Sequence, residues 1–185
     1  IIQHGLWKGR SLYDLYNAAQ TPFEWQKELF SHAKKVGITI FSTPFDETSA
    51  DLLTKLNTPA FKVASFEITD IPLLNYVASK RKPILMSTGM ASKEEVSEAV
   101  NAIYANGCDQ LLLFHCVSSY PTSLAKSKLY MIPDLRKSFN VSVGLSDHTL
   151  GNEAAIAAIT LGATAIEKHF TSDRSLGGED SSFSI

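Results

Sequence analysis

Two cysteines, Cys108 and Cys116, are all the sulfur-based cross-linking chemistry this chain of 185 residues has. They match neither a disulfide framework nor zinc-knuckle spacing, which points to a reducing, cytoplasmic compartment. No apolar run exceeds strand length, so no transmembrane helix and no membrane partner is expected. No run of basic residues occurs, and 17 Lys and Arg against 19 Asp and Glu leave a formal charge of -2. That balance argues against a nucleic-acid backbone or an anionic membrane as partner. The first residues, Ile1-Ile-Gln-His-Gly5, carry neither an initiator Met nor a signal-peptide pattern, and are read as an internal start. Linkers, low-complexity tracts and hairpin turns are missing too. With 44% hydrophobic residues, the chain can bury a substantial core, most simply as one domain or part of one.

What is present is an alternation. Strand-like segments are expected at Gly37 to Ser42, Ala60 to Ser65, Pro83 to Ser87, Gln110 to Cys116, Val141 to Ser146 and Ala163 to His169. Helical patterns lie at Pro22 to Val36, Glu47 to Leu56, Ile71 to Ser79, Lys93 to Asn106, Ser127 to Phe139 and Glu153 to Leu161. Ser92 with Glu95 offers a capping box for the helix starting at Lys93. Such βα repetition specifies a parallel sheet, either an open doubly wound one or a (β/α)₈ barrel. An open sheet would be supported by a glycine-rich phosphate loop after its first strand, and none is present. Nearly every strand ends in polar residues instead, as a barrel drawing its site from many strand ends requires. The expectation is an α/β TIM-type barrel represented by about six βα units, strands 3 to 8, over residues 1–185.

The most informative strands are Val141-Ser-Val-Gly-Leu-Ser-Asp-His148 and Ala163-Thr-Ala-Ile-Glu-Lys-His169. Side chains alternate along a strand, so Ser146 and His148 share one face, as do Glu167 and His169. On neighbouring strands the two histidines can hold one divalent metal ion and leave positions for water or substrate oxygen. A lone strand histidine is more often structural, but two at matching depth favour a site. Asp147 and Glu167 could orient them or add ligands. His115 reads as core or site lining, and His4 and His32 as surface residues. Lys62 sits inside Phe61-Lys-Val-Ala-Ser-Phe-Glu67, where it must bind an anion, form a Schiff base or reach water. Hydroxyls at Thr43, Ser65, Ser87, Thr88 and Ser146 favour anion binding, of a phosphate in particular. Glu67 is either a helix-cap residue or a desolvated carboxyl able to move protons. Tyr120 is either a pocket wall or turn packing. The charged stretch from Asp173 to Ser182 follows the last strand, where barrel site loops lie.

Five segments together carry a resemblance. Phe41-Ser-Thr-Pro-Phe-Asp46, Lys62-Val-Ala-Ser-Phe-Glu-Ile-Thr-Asp70, Met86-Ser-Thr-Gly-Met90, Gly144-Leu-Ser-Asp-His-Thr-Leu-Gly151 and Glu167-Lys-His-Phe-Thr171 resemble the sialic acid synthase family. Trp7-Lys-Gly-Arg-Ser-Leu-Tyr-Asp-Leu-Tyr16 and Thr21-Pro-Phe-Glu-Trp25 are most similar to its pseudaminic acid synthases, as is the run Ser175-Leu-Gly-Gly178 with Asp180-Ser181. The resemblance implies a (β/α)₈ barrel that condenses phosphoenolpyruvate with an N-acetylated amino-sugar aldehyde and releases phosphate. For the pseudaminic type the sugar is 2,4-diacetamido-2,4,6-trideoxy-L-altrose; N-acetylneuraminate and legionaminic acid synthases are the alternatives. It further implies a manganese or magnesium ion at His148 and His169, and phosphoenolpyruvate held by Lys62, Thr43, Ser65, Ser87 and Ser146. Glu67 and Glu167 match catalytic positions near the reacting carbons. Asp180 matches a sugar contact, with Tyr120 assigned to the same end.

The family pattern also has two upstream strands, a last barrel helix and a small C-terminal antifreeze-like domain, none of which these residues supply. It implies a homodimer for the full-length protein. Glu179 stands where pseudaminic-type relatives usually have proline, and Ser118 where N-acetylneuraminate-forming members have asparagine. Two other classes stay open on the residues alone: a Schiff-base aldolase acting through Lys62, and a non-catalytic barrel scaffold.

Overall fold

A computed structural model describes residues 1–185. Three helices, α1 (Leu12–Ala19), α2 (Phe23–Val36) and α3 (Glu47–Lys55), precede a regular βα series. That series runs β1 (Phe61–Val63), α4 (Ile71–Ser79), β2 (Ile84–Ser87), α5 (Lys93–Ala105), β3 (Leu111–Cys116), α6 (Met131–Phe139), β4 (Ser142–Asp147), α7 (Glu153–Thr160) and β5 (Ile166–Lys168). The five strands pair in parallel in the order of the sequence, β1 to β5. Sequential parallel order, with a helix between successive strands, is barrel topology and not that of an open doubly wound sheet.

Local chemistry sets the helix ends. Ser92 and Glu95 form the expected reciprocal capping box of α5, and Asp46 with Ser49 forms another on α3. Helix α2 stops at Gly37, whose φ of 77° would strain any residue with a Cβ. Helix α6 begins at Met131, four residues later than expected, because Lys128 takes a positive φ of 48° that interrupts a helix. Helix α1 was not foreseen; Ser11 caps it by accepting from the Asp14 amide.

One expected strand is not formed. Residues 37–42 contribute only an isolated parallel bridge, Ser42 to Phe61. The ladder reaches back no further than the Lys62 amide donating to the Ser42 carbonyl, and β1 is only three residues long. Without a longer partner the preceding residues stay out of the sheet, and Ile38 and Phe41 are exposed. The sheet therefore has five strands and one bridge instead of six strands.

Each strand divides its side chains between two surfaces. Phe61, Val63, Ile84, Met86, Leu111, Leu113, Val143 and Leu145 point toward the helices and join one core cluster with Leu74, Val77, Val96, Ile103 and Ile132. Most of these side chains are fully buried, each worth about 1.5–3 kcal/mol relative to exposure. The opposite surface lines the concave side and carries Lys62, Ser87, Phe114, Cys116, Ser146 and Glu167. The register makes this explicit, pairing Cys116 with Ser146 and Ser146 with Glu167.

The sheet is curled. In a flat sheet four inter-strand spacings would separate β1 from β5 by about 19 Å. Yet Lys62 Nζ on β1 lies 3.1 Å from Glu167 Oε1 on β5. Only strong curvature brings the two edge strands close enough for those side chains to meet. The product is a half-barrel whose concave face is polar at the carboxyl ends of its strands.

Gly144, in the middle of β4, permits this packing. A Cβ there would lie 2.6 Å from both the Ala165 carbonyl oxygen and Phe114 Cε1. Gly144→Ala in the full-length protein is expected to lower stability by about 1–3 kcal/mol, read as a reduced urea midpoint; an unchanged midpoint would refute this packing.

Candidate functional site

The concave face holds one continuous polar chain. Lys62 Nζ donates to Ser87 Oγ at 2.9 Å and to Glu167 Oε1 at 3.1 Å. Ser146 Oγ donates to the same Glu167 oxygen at 2.7 Å. His148 Nε2 lies 3.5 Å from Ser146 Oγ, at the outer limit of a hydrogen bond. Residues from β1, β2, β4 and β5, and one just past β4, thus meet at one point. The Lys62 ammonium also lies 5.5 Å from the centre of the Phe114 ring. Its side chain is only 11% exposed, whereas that of Glu167 is 36% exposed. The carboxylate is therefore the partner with room to swing away.

A second group of side chains continues from there. Ser65 opens the short 3-10 turn Ser65–Thr69 after β1 and accepts from the Gly89 amide at 3.1 Å. A Cβ on Gly89 would fall 2.5 Å from Ser118 Oγ, 2.8 Å from Ser65 Oγ and 3.3 Å from Cys116 Sγ. The backbone here can approach the hydroxyls only because this residue is glycine. Cys116 Sγ lies within this cluster beside Ser65, Ser118 and Ser146, and burial pushes its thiol pKa up. Sequence reasoning missed Cys116 as a site residue, although strand parity alone places it on the concave face. Thr43 follows the Ser42–Phe61 bridge directly and is half-buried. Thr88 turns inward, its hydroxyl donating to the Phe114 carbonyl at 3.0 Å.

Glu67 lies on the 3-10 turn, and its Oε2 is buried without a hydrogen-bond partner. Burial raises its pKa above the ordinary carboxyl range, with Asp70 adding to the effect and the Lys62 charge opposing it. It is not a cap: Asp70 accepts from the Leu73 amide and caps α4 instead. A desolvated carboxyl beside an ammonium is equipped to hold or release a proton. Ser118 Oγ is the other buried side-chain atom with no partner.

The two histidines lie together beyond the strand ends, their ring centres 5.3 Å apart at 60°. His148 Nδ1 is 2.9 Å from the Val117 carbonyl, so Nδ1 carries the proton and Nε2 keeps its lone pair. His169 Nδ1 is 3.2 Å from Asp180 Oδ2, which selects the same tautomer. Burial lowers the pKa of His148, favouring the neutral ring. Two imidazoles, each fixed through Nδ1 by an oxygen and each presenting Nε2, are a donor set that fits a divalent cation. No group of three or more His, Cys, Asp or Glu converges on one point, so two imidazoles are the protein donors available here.

Aromatic rings enclose the pair. Tyr120 lies 4.3 Å from His148 and 6.1 Å from His169 between ring centres, Trp7 lies 5.6 Å from Tyr120, and Phe183 lies 4.8 Å from His169. Tyr120 is thus a wall of the site, with its hydroxyl pKa pushed up to about 12, chiefly by burial. Trp7 and Phe183 were not anticipated, since both come from segments far from any strand. Glu179 also gains a physical account. Arg10 grips its carboxylate and Trp7 Nε1 donates to its carbonyl at 3.2 Å, which ties residues 7–10 to the loop carrying Asp180.

Strand parity decides two readings that the sequence left open. His115 faces the helices, 5% exposed, with Nε2 2.7 Å from the Ser127 carbonyl; it belongs to the core. Asp147 neither orients a histidine through its ring nor adds a ligand, because it points to the helix side and pairs with Lys168. His4 and His32 are exposed as expected.

A parallel α/β half-barrel with polar strand ends defines a barrel-type scaffold whose site is assembled from successive strands. The sequence model of the NeuB family matches residues 1–185, and the chain belongs to that family. It is 43% identical over all 185 residues to a pseudaminic acid synthase of Helicobacter pylori, covering 54% of that protein. It is 44% identical over 161 residues to an N,N'-diacetyllegionaminic acid synthase of Campylobacter jejuni, covering 86% of this chain and 48% of that one. The crystal structure of an N-acetylneuraminic acid (sialic acid) synthetase from Leptospira borgpetersenii superposes with a TM-score of 0.88. The two are 33% identical, and the match covers 93% of this chain and 60% of the other. The chain spans about half the length of the curated relatives it matches. No helix is long and apolar enough to cross a membrane.

Burial lowers the pKa of His115 in the folded protein below its value of about 6.5 in the unfolded chain. Below that value the unfolded chain binds the extra proton, so this contribution to stability is complete above pH 6.5 and lost as pH falls. Urea midpoints at pH 7.5 and 5.5 are expected to drop less in His115→Gln than in wild type; equal drops would show that His115 does not carry the effect.

Proposed function

We propose that this chain forms part of the catalytic barrel of a synthase that condenses phosphoenolpyruvate with an N-acetylated amino-sugar aldehyde, giving a nonulosonic acid and phosphate. The amino sugar assigned is 2,4-diacetamido-2,4,6-trideoxy-L-altrose, and the product pseudaminic acid. The observation that carries this reading is the Lys62 ammonium, held among hydroxyls from several strand ends beside two histidines with free Nε2 atoms. Membership of the NeuB family and the likeness to a pseudaminic acid synthase support it.

Lys62, Ser87 and Ser146 bind the phosphate of phosphoenolpyruvate, with Ser65 and Thr43 completing the hydroxyl set. Charge-assisted bonds of this kind are roughly twice as strong as neutral ones. Glu167 rests on the donors the phosphate needs, so it turns outward as phosphoenolpyruvate enters. There its carboxylate faces the reacting carbons. Tyr120 and Asp180 meet the amino sugar, and Asp180 also holds His169. A divalent cation at His148 and His169, manganese or magnesium, supplies Lewis-acid polarisation of a carbonyl oxygen when bound.

The bond changes follow. The terminal enol carbon of phosphoenolpyruvate attacks the aldehyde carbon, forming the carbon–carbon bond, and the aldehyde oxygen takes a proton to become a hydroxyl. Positive oxocarbenium character develops at the carbon bearing phosphate, where water adds and loses a proton. The resulting adduct releases phosphate by carbon–oxygen cleavage and leaves a ketone. Glu67, with its unpartnered oxygen and raised pKa, receives and returns the proton of that water. Lys62 offsets the charge on the departing phosphate.

The test uses the full-length protein in ¹⁸O-labelled water, with phosphoenolpyruvate and the trideoxy diacetamido sugar or N-acetylmannosamine. Phosphate release is expected with the trideoxy sugar, to stop on chelation and return with Mn²⁺, and the phosphate should contain no ¹⁸O. Label in the phosphate would mean phosphorus–oxygen cleavage and sink the mechanism. Release with N-acetylmannosamine alone would reassign the sugar, and borohydride trapping on Lys62 would establish a Schiff-base aldolase instead.

A further inference from the structure

On the helix side of the sheet, where the surrounding residues form the apolar core, one ion pair is almost wholly buried. Lys168 Nζ lies 2.8 Å from Asp147 Oδ2, with side-chain exposures of 9% and 1%. The two are direct register partners, the last paired residues of β5 and β4. Burying such a pair is not an efficient way to stabilise a fold, since well-packed apolar residues of similar volume do as well or better. Two leucines at these positions would hold the strands together.

They would not do what the ion pair does beyond the ladder. Lys168 Nζ also donates to the Thr149 carbonyl at 2.7 Å, and Asp147 Oδ1 accepts from the Thr149 amide at 2.9 Å. Asp147 and Thr149 flank His148, and Lys168 directly precedes His169. Three polar contacts thus converge on the residues bracketing the two histidines, from the face opposite the imidazoles. The ladder stops at Asp147 and Lys168, so ordinary sheet pairing cannot fix the residues that follow. The His148 carbonyl is held separately by the Thr122 amide at 2.9 Å, and the His169 carbonyl by the Ile185 amide at 2.9 Å. Those bonds restrain each histidine against its own loop. Among these contacts, only the Asp147–Lys168–Thr149 tie couples the two strand tails to each other.

We propose that Asp147 and Lys168 are positioning residues that set the spacing of His148 and His169, and through it the affinity for the divalent cation. This rests on the two-histidine cation site proposed above. Outer groups that orient ligands typically change metal affinity by about 10- to 100-fold when removed. The phosphate donors Lys62, Ser87 and Ser146 belong to the ladder or to the opposite face and do not depend on the tie.

The experiment measures Mn²⁺ binding to the full-length protein by the electron-spin-resonance signal of the free ion, and phosphoenolpyruvate binding by calorimetry without metal. His148→Ala and His169→Ala should each abolish Mn²⁺ binding; retention of binding would remove the two-histidine site itself. With that site established, Lys168→Met and Asp147→Asn should each weaken Mn²⁺ binding about 10-fold or more. Their phosphoenolpyruvate affinity should stay within about twofold of wild type, and Lys168→Arg should recover most of the loss. Mn²⁺ affinity unchanged in a folded Lys168→Met protein overturns the proposal, as does a parallel loss of both ligands, which would mark general loosening. If Lys168→Met does not fold, Asp147→Glu keeps both charges and lengthens one arm. A several-fold weaker Mn²⁺ affinity there supports the tie, and an unchanged one overturns it.

Discussion

The contact on which the rest of the structure depends joins Lys62 of the first strand to Glu167 of the last. An ammonium placed in a strand between Phe61 and Val63 must find opposite charge or water, because burying it alone is prohibitively costly. Its counter-charge lies four strands away in the ladder, and the sheet brings it within 3.1 Å by curling. Fold and site are thus the same problem solved once. The curvature that seals apolar side chains under the helices also gathers strand ends around one cation.

That arrangement relies on strand parity. Every second residue serves the core and the intervening ones serve the concave face, so neither set disturbs the other. His115 and Cys116 are neighbours in sequence, yet one bonds to the Ser127 carbonyl on the core side and the other lies among site hydroxyls. Asp147 and His148 divide in the same way: one is a buried half of an ion pair, the other a ring with a free nitrogen. Glycines supply the close approaches, Gly144 under the Phe114 ring and Gly89 against Ser65 and Ser118.

Much of this was legible in the sequence. The βα alternation, the capping box at Ser92, the shared face of Ser146 and His148, and the grouping of Lys62 with hydroxyls all follow from periodicities of 2 and 3.6, which are local properties. What was not legible depends on distant partners. Residues 37–42 have strand-like composition but no ladder to join. Lys128 stops a helix through a backbone dihedral that no side-chain pattern announces. Trp7 packs on Tyr120 and Phe183 on His169 from the two ends of the chain, so no spacing rule relates them to His148. Parity carried further would have placed Cys116 in the site and His115 and Asp147 out of it.

The assigned chemistry turns on Lys62 being an anion anchor already organised by its neighbours, with Glu167 as a counter-charge that yields to substrate. The most direct measurement is the calorimetric affinity of the full-length protein for phosphoenolpyruvate in wild type, Lys62→Met and Glu167→Gln. This account predicts a loss of about 30-fold or more in Lys62→Met, in line with removing one partner of a buried charged contact. It predicts equal or tighter binding in Glu167→Gln, where the competing charge is gone. An affinity unchanged by Lys62→Met, or weakened as strongly by Glu167→Gln as by Lys62→Met, would contradict it.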